Sequence, residues 1–203
     1  MLRRLYEYLL ARQISRYPMP KCVAITLSPE DLDPEGLQLL RDLIGWSMSL
    51  GLWSLAIYIN DDSLETYQKM ISYLSDLPAE VSLHDARGAR QLGAGGQISL
   101  LVSLGYGGKR EVTEAIRKLL VDVEAGTLEP AEIDEKALEA RLRFRQKPDL
   151  VLRAGGRQLS DFMIWQAAYS ELYFTEVNWR FLRKMDFLRA IRDFQKRKRR
   201  FGR

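Results

Sequence analysis

Residues 148–174 read PDLVLRAGGRQLSDFMIWQAAYSELYF and hold the side chains best suited to chemistry. Arg153 closes an apolar run, Gly155 and Gly156 follow, then Arg157, then Ser160 and Asp161. A diphosphate needs such a set. Guanidinium forks match phosphate oxygens, glycines let the backbone come close, and a hydroxyl opening a helix sits among free N–H groups at the positive dipole end. The plainer reading makes Ser160 an N-cap and Arg153 a surface charge. The pattern alone leaves both open. Other chemistries are narrower. The single cysteine, Cys22, excludes an intrachain disulfide and a Cys-based metal cluster. The single histidine, His84, excludes a His-rich zinc site and argues against a Ser-His-Asp triad. Both are read as structural, Cys22 as a small buried hydrophobe and His84 as a satisfied polar group near a strand end.

The elements that must carry Arg153 alternate in period. The runs CVAITL (22–27), LAIYI (55–59), ISLLVS (98–103) and DLVLR (149–153) are apolar on both parities, as in strands covered on both faces. Helical spacing fills 35–50, 63–77, 111–125 and 130–142, and it predicts helices over 160–172 and 181–200 as well. Residues 81–84 and 175–178 read as short strands, and 88–96 as a Gly-rich loop. The fold class is therefore α/β: one domain over 1–203 with a mostly parallel central sheet flanked by helices. An amphipathic N-terminal helix (about 2–17) and a basic C-terminal helix and tail (about 181–203) complete it. Ligands of such sheets bind at the carboxyl ends of the strands. The turns to watch are therefore 27–34, 59–63, 103–109 and 153–160.

The 148–174 segment closely resembles the C-terminal signature of the cis-prenyltransferases, the undecaprenyl and dehydrodolichyl diphosphate synthase family. Further resemblance lies in SLGYGGKREVTEAIRKL (103–119), AGTLEPAEIDEKAL (125–138), CVAIT (22–26) and the terminal RRFG (199–202), similar to the family's R-x-G. The resemblance implies condensation of isopentenyl diphosphate with an allylic diphosphate in the presence of Mg²⁺, giving Z-polyprenyl chains. It places isopentenyl diphosphate on Arg153, Arg157 and Ser160, and on Arg200 and Gly202 of a tail reaching a neighbouring subunit. Glu171 matches an acidic residue associated with Mg²⁺ and the subunit interface. Its plainer role is an ion pair with an arginine.

The sequence departs from the family where the allylic diphosphate would sit. After the first strand the family has M-D-G-N-G-R-W-A, whereas here Leu27 is followed by Ser28-Pro29-Glu30-Asp31. Pro29 removes an N–H that a phosphate cradle would use. After the second strand Asp61 and Asp62 replace an aromatic and an arginine, Gly105 stands where the family has asparagine before Tyr106, and Gln158 replaces a phosphate arginine. The usual catalytic aspartate position is empty. This pattern resembles the degenerate, Nogo-B receptor-like accessory subunit of a heteromeric enzyme in polyprenol or dolichol synthesis. The expectation is an accessory chain, inactive alone, that partners a catalytic subunit, with the segment Trp165–Phe174 as a helix at the interface. The alternative is a standalone homodimeric enzyme with an allylic site rebuilt on Asp31, Asp61 or Asp62.

The charge is divided. Residues 1–17 carry +3 and residues 179–203 carry +9, so the acidic middle carries −8 and the formal net charge is +4. A uniformly basic nucleic-acid domain would not look like this, and nucleic acid is not an expected partner. Polyanion binding by the C-terminal tail is a lesser alternative. The run 43–59 is uncharged for 17 positions, just short of a spanning helix. It reads as a helix capped at Gly51 and followed by a strand. With no secretory signal, a cytoplasmic location is expected, with peripheral membrane contact through the N-terminal helix left open.

Overall fold

A computed structural model describes residues 2–155 and 161–197, the first three of these by backbone alone. Helix α1 (Leu2–Ile14) precedes strand β1 (Cys22–Leu27), helix α2 (Pro34–Ser49), strand β2 (Ser54–Ile59) and helix α3 (Leu64–Ser75). Strands β3 (Glu80–Asp85), β4 (Gly88–Leu92) and β5 (Ser99–Leu104) follow, then helices α4 (Gly108–Glu124) and α5 (Glu135–Arg141). Strands β6 (Leu150–Ala154) and β7 (Glu171–Thr175) and helix α6 (Lys184–Lys196) complete the order. The seven strands form one sheet, β4-β3-β5-β2-β1-β6-β7, parallel except for the β3–β4 pair. This is the α/β single-domain fold that the alternating periods predict.

The two sheet faces differ in residue size. One buries Val23, Ile25, Leu55, Ile57, Leu100 and Val102 under α1, α2, α3 and α6. The other carries Cys22, Ala24 and Ala56, and these small side chains let Phe144 and Phe162 lie close to the sheet. Phe162 stacks on Tyr58 with ring centroids 5.1 Å apart. Burial holds the Cys22 thiol protonated, with its pKa pushed up to about 12, as a small hydrophobe's would be. His84 shares a hydrogen bond with Ser82 Oγ at 2.7 Å and meets Phe144 edge-on. Burial and the nearby Arg143 charge lower its pKa. Its Nδ1 has no partner among the described residues, so His84 is only half satisfied.

The apolar run 43–59 divides as expected. Gly51, at φ +73°, ends α2 in the left-handed region that favours glycine, and β2 starts three residues later. No helix among the described residues is long and apolar enough to cross a membrane.

Three expected elements are corrected. The expected loop 88–96 contains strand β4. The Asp85 carboxylate accepts from Arg87 N (2.8 Å) and Gly88 N (3.0 Å), closing a tight hairpin that an exposed GARQL run does not advertise. The expected helix 160–172 is not formed over the described part. Residues 161–170 make irregular turns, with Met163 at φ +53°. The backbone then enters the sheet when Glu171 N donates to Asp149 O at 2.9 Å. Trp165–Phe174 is thus turn and edge strand, and β7 ends where the short strand 175–178 was expected to begin. The expected helix 130–142 starts as a 3-10 turn over Pro130–Glu132 and restarts at Asp134, whose carboxylate accepts from Ala137 N at 2.8 Å.

Candidate functional site: the carboxyl edge of the sheet

Strand β1 pairs with β2 on one side and β6 on the other, so the order of connection reverses between β1 and β6. Ligand crevices form at such switch points. Four turns border this one.

The turn after β1 is closed by its own acids. Asp31 accepts from Ser28 N at 2.8 Å, and Asp33 accepts from Gly36 N at 2.8 Å as the N-cap of α2. Arg180 donates to Glu30 O at 2.8 Å and pairs with Asp33 at 3.2 Å. The turn after β2 repeats this economy. Asp61 accepts from Ser63 N (3.0 Å), Ser63 Oγ (2.7 Å) and Thr66 Oγ1. The Thr66 and Ser63 hydrogen bonds hold its pKa below the ordinary carboxylate value. Ser63 caps α3, its hydroxyl accepting from Thr66 N at 3.2 Å.

Asp62 instead packs on the third turn. Gly105 has φ +57°, and a Cβ there would lie 2.5 Å from Asp62 Cβ. Asparagine tolerates that φ but not that approach, and the Asp62 N and Cα would also lie only 3.0 and 3.1 Å away, so glycine at 105 is matched to the whole of residue 62. Next to it, Tyr106 donates to Glu114 at 2.6 Å, and the Arg143 guanidinium lies 3.9 Å from its ring centroid. Burial and the Glu114 partner raise the phenol's pKa. Gly107 opens α4 with no side chain, and Asp161 packs where its Cβ would stand. Asp161 also accepts from Gly108 N at 2.9 Å through its carbonyl and from Lys109 N at 3.2 Å through its carboxylate. Behind this contact Glu111 is buried. It accepts from Phe144 N at 2.7 Å and from Gln166 Nε2 at 3.1 Å, and burial raises its pKa. These ties fix the 161–170 segment to α4.

The fourth turn carries Arg153. Its Nη1 donates to Thr26 O at 3.3 Å across the switch point, and its buried Nε has no partner among the described residues. An orphan guanidinium N–H at a sheet's ligand crevice is the donor a bound anion would satisfy. Gly155, at φ +71°, turns the chain back against Asn178. Arg157 and Ser160 lie outside the described residues, and so do Arg200 and Gly202. Glu171 lies apart from Arg153. It starts β7 at the sheet's opposite edge and pairs at 3.2 Å with Arg197, the residue that follows α6. Sequence reasoning missed Glu111 and Gln166. Their signal is a lone acid in an apolar helical stripe matched by a lone glutamine in an apolar run.

Most aspartates of the first two turns are engaged in the turns themselves, which leaves few carboxylates for a Mg²⁺ ion. Mg²⁺ takes one or two free carboxylates besides water and phosphate. Asp31, Asp33 and Asp61 are committed to turn N–H and hydroxyl groups. No group of three or more acidic, His or Cys side chains among the described residues could hold a metal ion.

The fold defines an α/β protein with an arginine at the switch point of its parallel sheet. The comparisons narrow that class. The family model described as putative undecaprenyl diphosphate synthase matches residues 58–202. The chain is 30% identical over 245 residues to a tritrans,polycis-undecaprenyl-diphosphate synthase (geranylgeranyl-diphosphate specific) of Picrophilus torridus, with 98% of this chain and 96% of the relative covered. An isoprenyl transferase of Thermus thermophilus is 30% identical over 250 residues, covering 98% and 95%. The chain belongs to the undecaprenyl diphosphate synthase family of cis-prenyltransferases. The fold agrees with lavandulyl diphosphate synthase from Lavandula x intermedia in complex with dimethylallyl diphosphate: TM-score 0.72, 22% identity, 91% of this chain and 99% of that one covered. Two details bear on the departures. The family match begins inside β2, past the turn after β1. The alignments run over 245 and 250 positions against 203 residues, so these relatives carry segments that this chain lacks.

Proposed function

We propose that this chain is a cis-prenyltransferase that condenses isopentenyl diphosphate with an allylic prenyl diphosphate to give a Z-polyprenyl diphosphate. The observation that carries the reading is the orphan Nε of Arg153 at the switch point of a chain in this family. In the reaction, isopentenyl C4 bonds to allylic C1 and the C1–oxygen bond breaks. Inorganic diphosphate leaves with the electron pair, and a proton is lost from the isopentenyl unit. Arg153 holds and orients the isopentenyl diphosphate, with Arg157 and Ser160 as its companions and Arg200 and Gly202 reaching in from a second subunit. Family reactions use Mg²⁺. No step here is routed through it. Any metal role of Glu171 is exercised across a subunit interface, because within its own chain it pairs with Arg197. The named relatives are synthases and transferases in their own right, which supports activity of the chain by itself.

One observation favours a second reading, the accessory subunit of a heteromeric enzyme. The turn after β1 has no glycine, and its acids serve as caps. A single-chain assay separates the two. Purified protein with isopentenyl and geranylgeranyl or farnesyl diphosphates and Mg²⁺ is expected to form polyprenyl product. If product appears only after a catalytic homologue is added, the accessory reading replaces the first.

A further inference from the structure

We propose that the outer face of α1, with the basic ridge of α6 beside it, docks on an anionic lipid bilayer. Helix α1 buries one side only. Leu10 and Ile14 enter the core, α1 packs on α6, and Gln195 of α6 donates to Ile14 O at 3.0 Å, closing the helix's last turn. The opposite side should be polar if it faced water alone. Instead Leu5, Tyr8 and Leu9 are 55%, 62% and 51% exposed, and Arg12 continues the same stripe one turn on. Beside Tyr6 of this helix opens a groove of about 470 Å³ lined by Phe181, Arg183, Met185 and Arg189, with Phe181 69% exposed.

Charge identifies the occupant. Residues 2–17, which carry +3, and residues 179–197, which carry +5, lie together because α1 packs on α6, while residues 18–178 carry −8. The acids of these two helices are Glu7, which is half-buried, and Asp186 and Asp193, which pair with Arg189 and with Arg197 just past the end of α6. The molecule has another exposed apolar cluster, Ile116, Leu120 and Ile133, and the groove there is edged by Asp134 and Glu135. An anionic bilayer repels that face and attracts this one. Arginines flanking exposed leucines and tyrosines suit the headgroup boundary, where the rings and aliphatic stems sink in and the guanidinium groups stay with phosphates. Arg180, next to Phe181, also ties this surface to the turn after β1. The inference stands without prenyl transfer, since its readout is vesicle binding.

The test is flotation of the full chain with vesicles of phosphatidylcholine alone or equimolar with phosphatidylglycerol, at about 0.1 M salt. The chain is expected to float with the anionic vesicles and not with the neutral ones. Leu5→Ser with Leu9→Ser should weaken partitioning about tenfold or more, and Arg12→Glu with Arg189→Glu should weaken it as well. Trp53→Ser, at an equally exposed apolar residue elsewhere, should leave it unchanged. All these positions are exposed, so folding, checked by circular dichroism, is retained. The proposal falls if the chain does not float, or if the leucine variant floats like the parent. It also falls if Trp53→Ser costs as much. Dissociation of a protein complex by the leucine variant without loss of flotation assigns the face to a protein partner and overturns the proposal. Equal binding of parent and leucine variant to vesicles and to a DNA duplex of about 20 base pairs marks a general polyanion surface and overturns it too.

Discussion

At the ends of β1 and β2, Asp31, Asp33 and Asp61 accept hydrogen bonds from their own turns, whereas at the end of β6 the buried Nε of Arg153 has no acceptor among the described residues. The two halves of one sheet edge thus differ in what is left for a ligand. Carboxylates engaged by N–H and hydroxyl donors are structural, and they would repel a diphosphate brought near them. A guanidinium with an unmet donor favours one. The unmet donor therefore lies on the β6 side, while Asp31, Asp33 and Asp61 on the β1–β2 side serve their own turns.

This contrast can be broken by substitution. The largest effect is expected at Arg153→Ala, with kcat/KM for isopentenyl diphosphate falling by roughly 10²–10³-fold, while Asp31→Ala and Asp61→Ala change it by less than about threefold. A steady-state assay giving the opposite ranking would place the working site on the β1–β2 side. Next comes the strut behind the open half. Glu111→Ala strands Phe144 N and the Gln166 amide, and should cost about 2–3 kcal/mol in urea unfolding. Glu111→Gln should cost much less, since its amide can donate to Gln166 Oε1, which has no partner among the described residues. The pH dependence has a definite sign. Burial raises the Glu111 pKa, so the native state binds that proton before the unfolded chain does. As pH falls from neutral through the raised pKa, the parent gains stability relative to Glu111→Gln, and the difference levels off below the ordinary carboxylate pKa. A flat difference would show that Glu111 titrates normally.

Smaller effects probe the closed half. Gly105→Asn should cost about 1–2 kcal/mol by collision with Asp62, and Asp62→Gly, which removes the nearest atom but leaves the backbone N and Cα, should recover part of it in the double variant. Additive losses in thermal unfolding would show that the two positions are not matched. Asp61→Ala should cost no more than about 1 kcal/mol because the group is near solvent. Its lowered pKa supports the fold above the ordinary carboxylate value, and that support fades as pH falls through the lowered one. A loss of several kcal/mol would mean that the turn after β2 carries more of the fold than its exposure suggests.

What the sequence reveals follows burial. Strands β1, β2, β5 and β6 are apolar on both parities because both faces are covered, and their bounds read to within two residues. β4 is exposed and lacks β-branched residues, so nothing in GARQL marks it. β7 follows an apolar stretch with no turn residues to separate them, and a helical period absorbs its alternation of Glu171 and Tyr173 against Leu172 and Phe174. In the site, Arg153 is legible because a charge ending an apolar run has few places to go. The capping duty of Asp31 and Asp61 is not legible, because it depends on turn geometry that the same acidic residues could equally leave open for a metal. Nor is the Gly105–Asp62 match, which joins two turns distant in sequence.

The lone thiol offers a practical use. Cys22 sits on β1, hydrogen-bonded between β2 and β6, buried and with its pKa at about 12. Alkylation requires a thiolate in reach of the reagent. The intact molecule therefore resists labelling, and the rate of modification counts only the excursions in which the central strand comes free. Followed against denaturant, that rate gives the opening free energy of the innermost part of the sheet. A cysteine introduced anywhere on the surface can carry a dye or spin label without first removing the natural one.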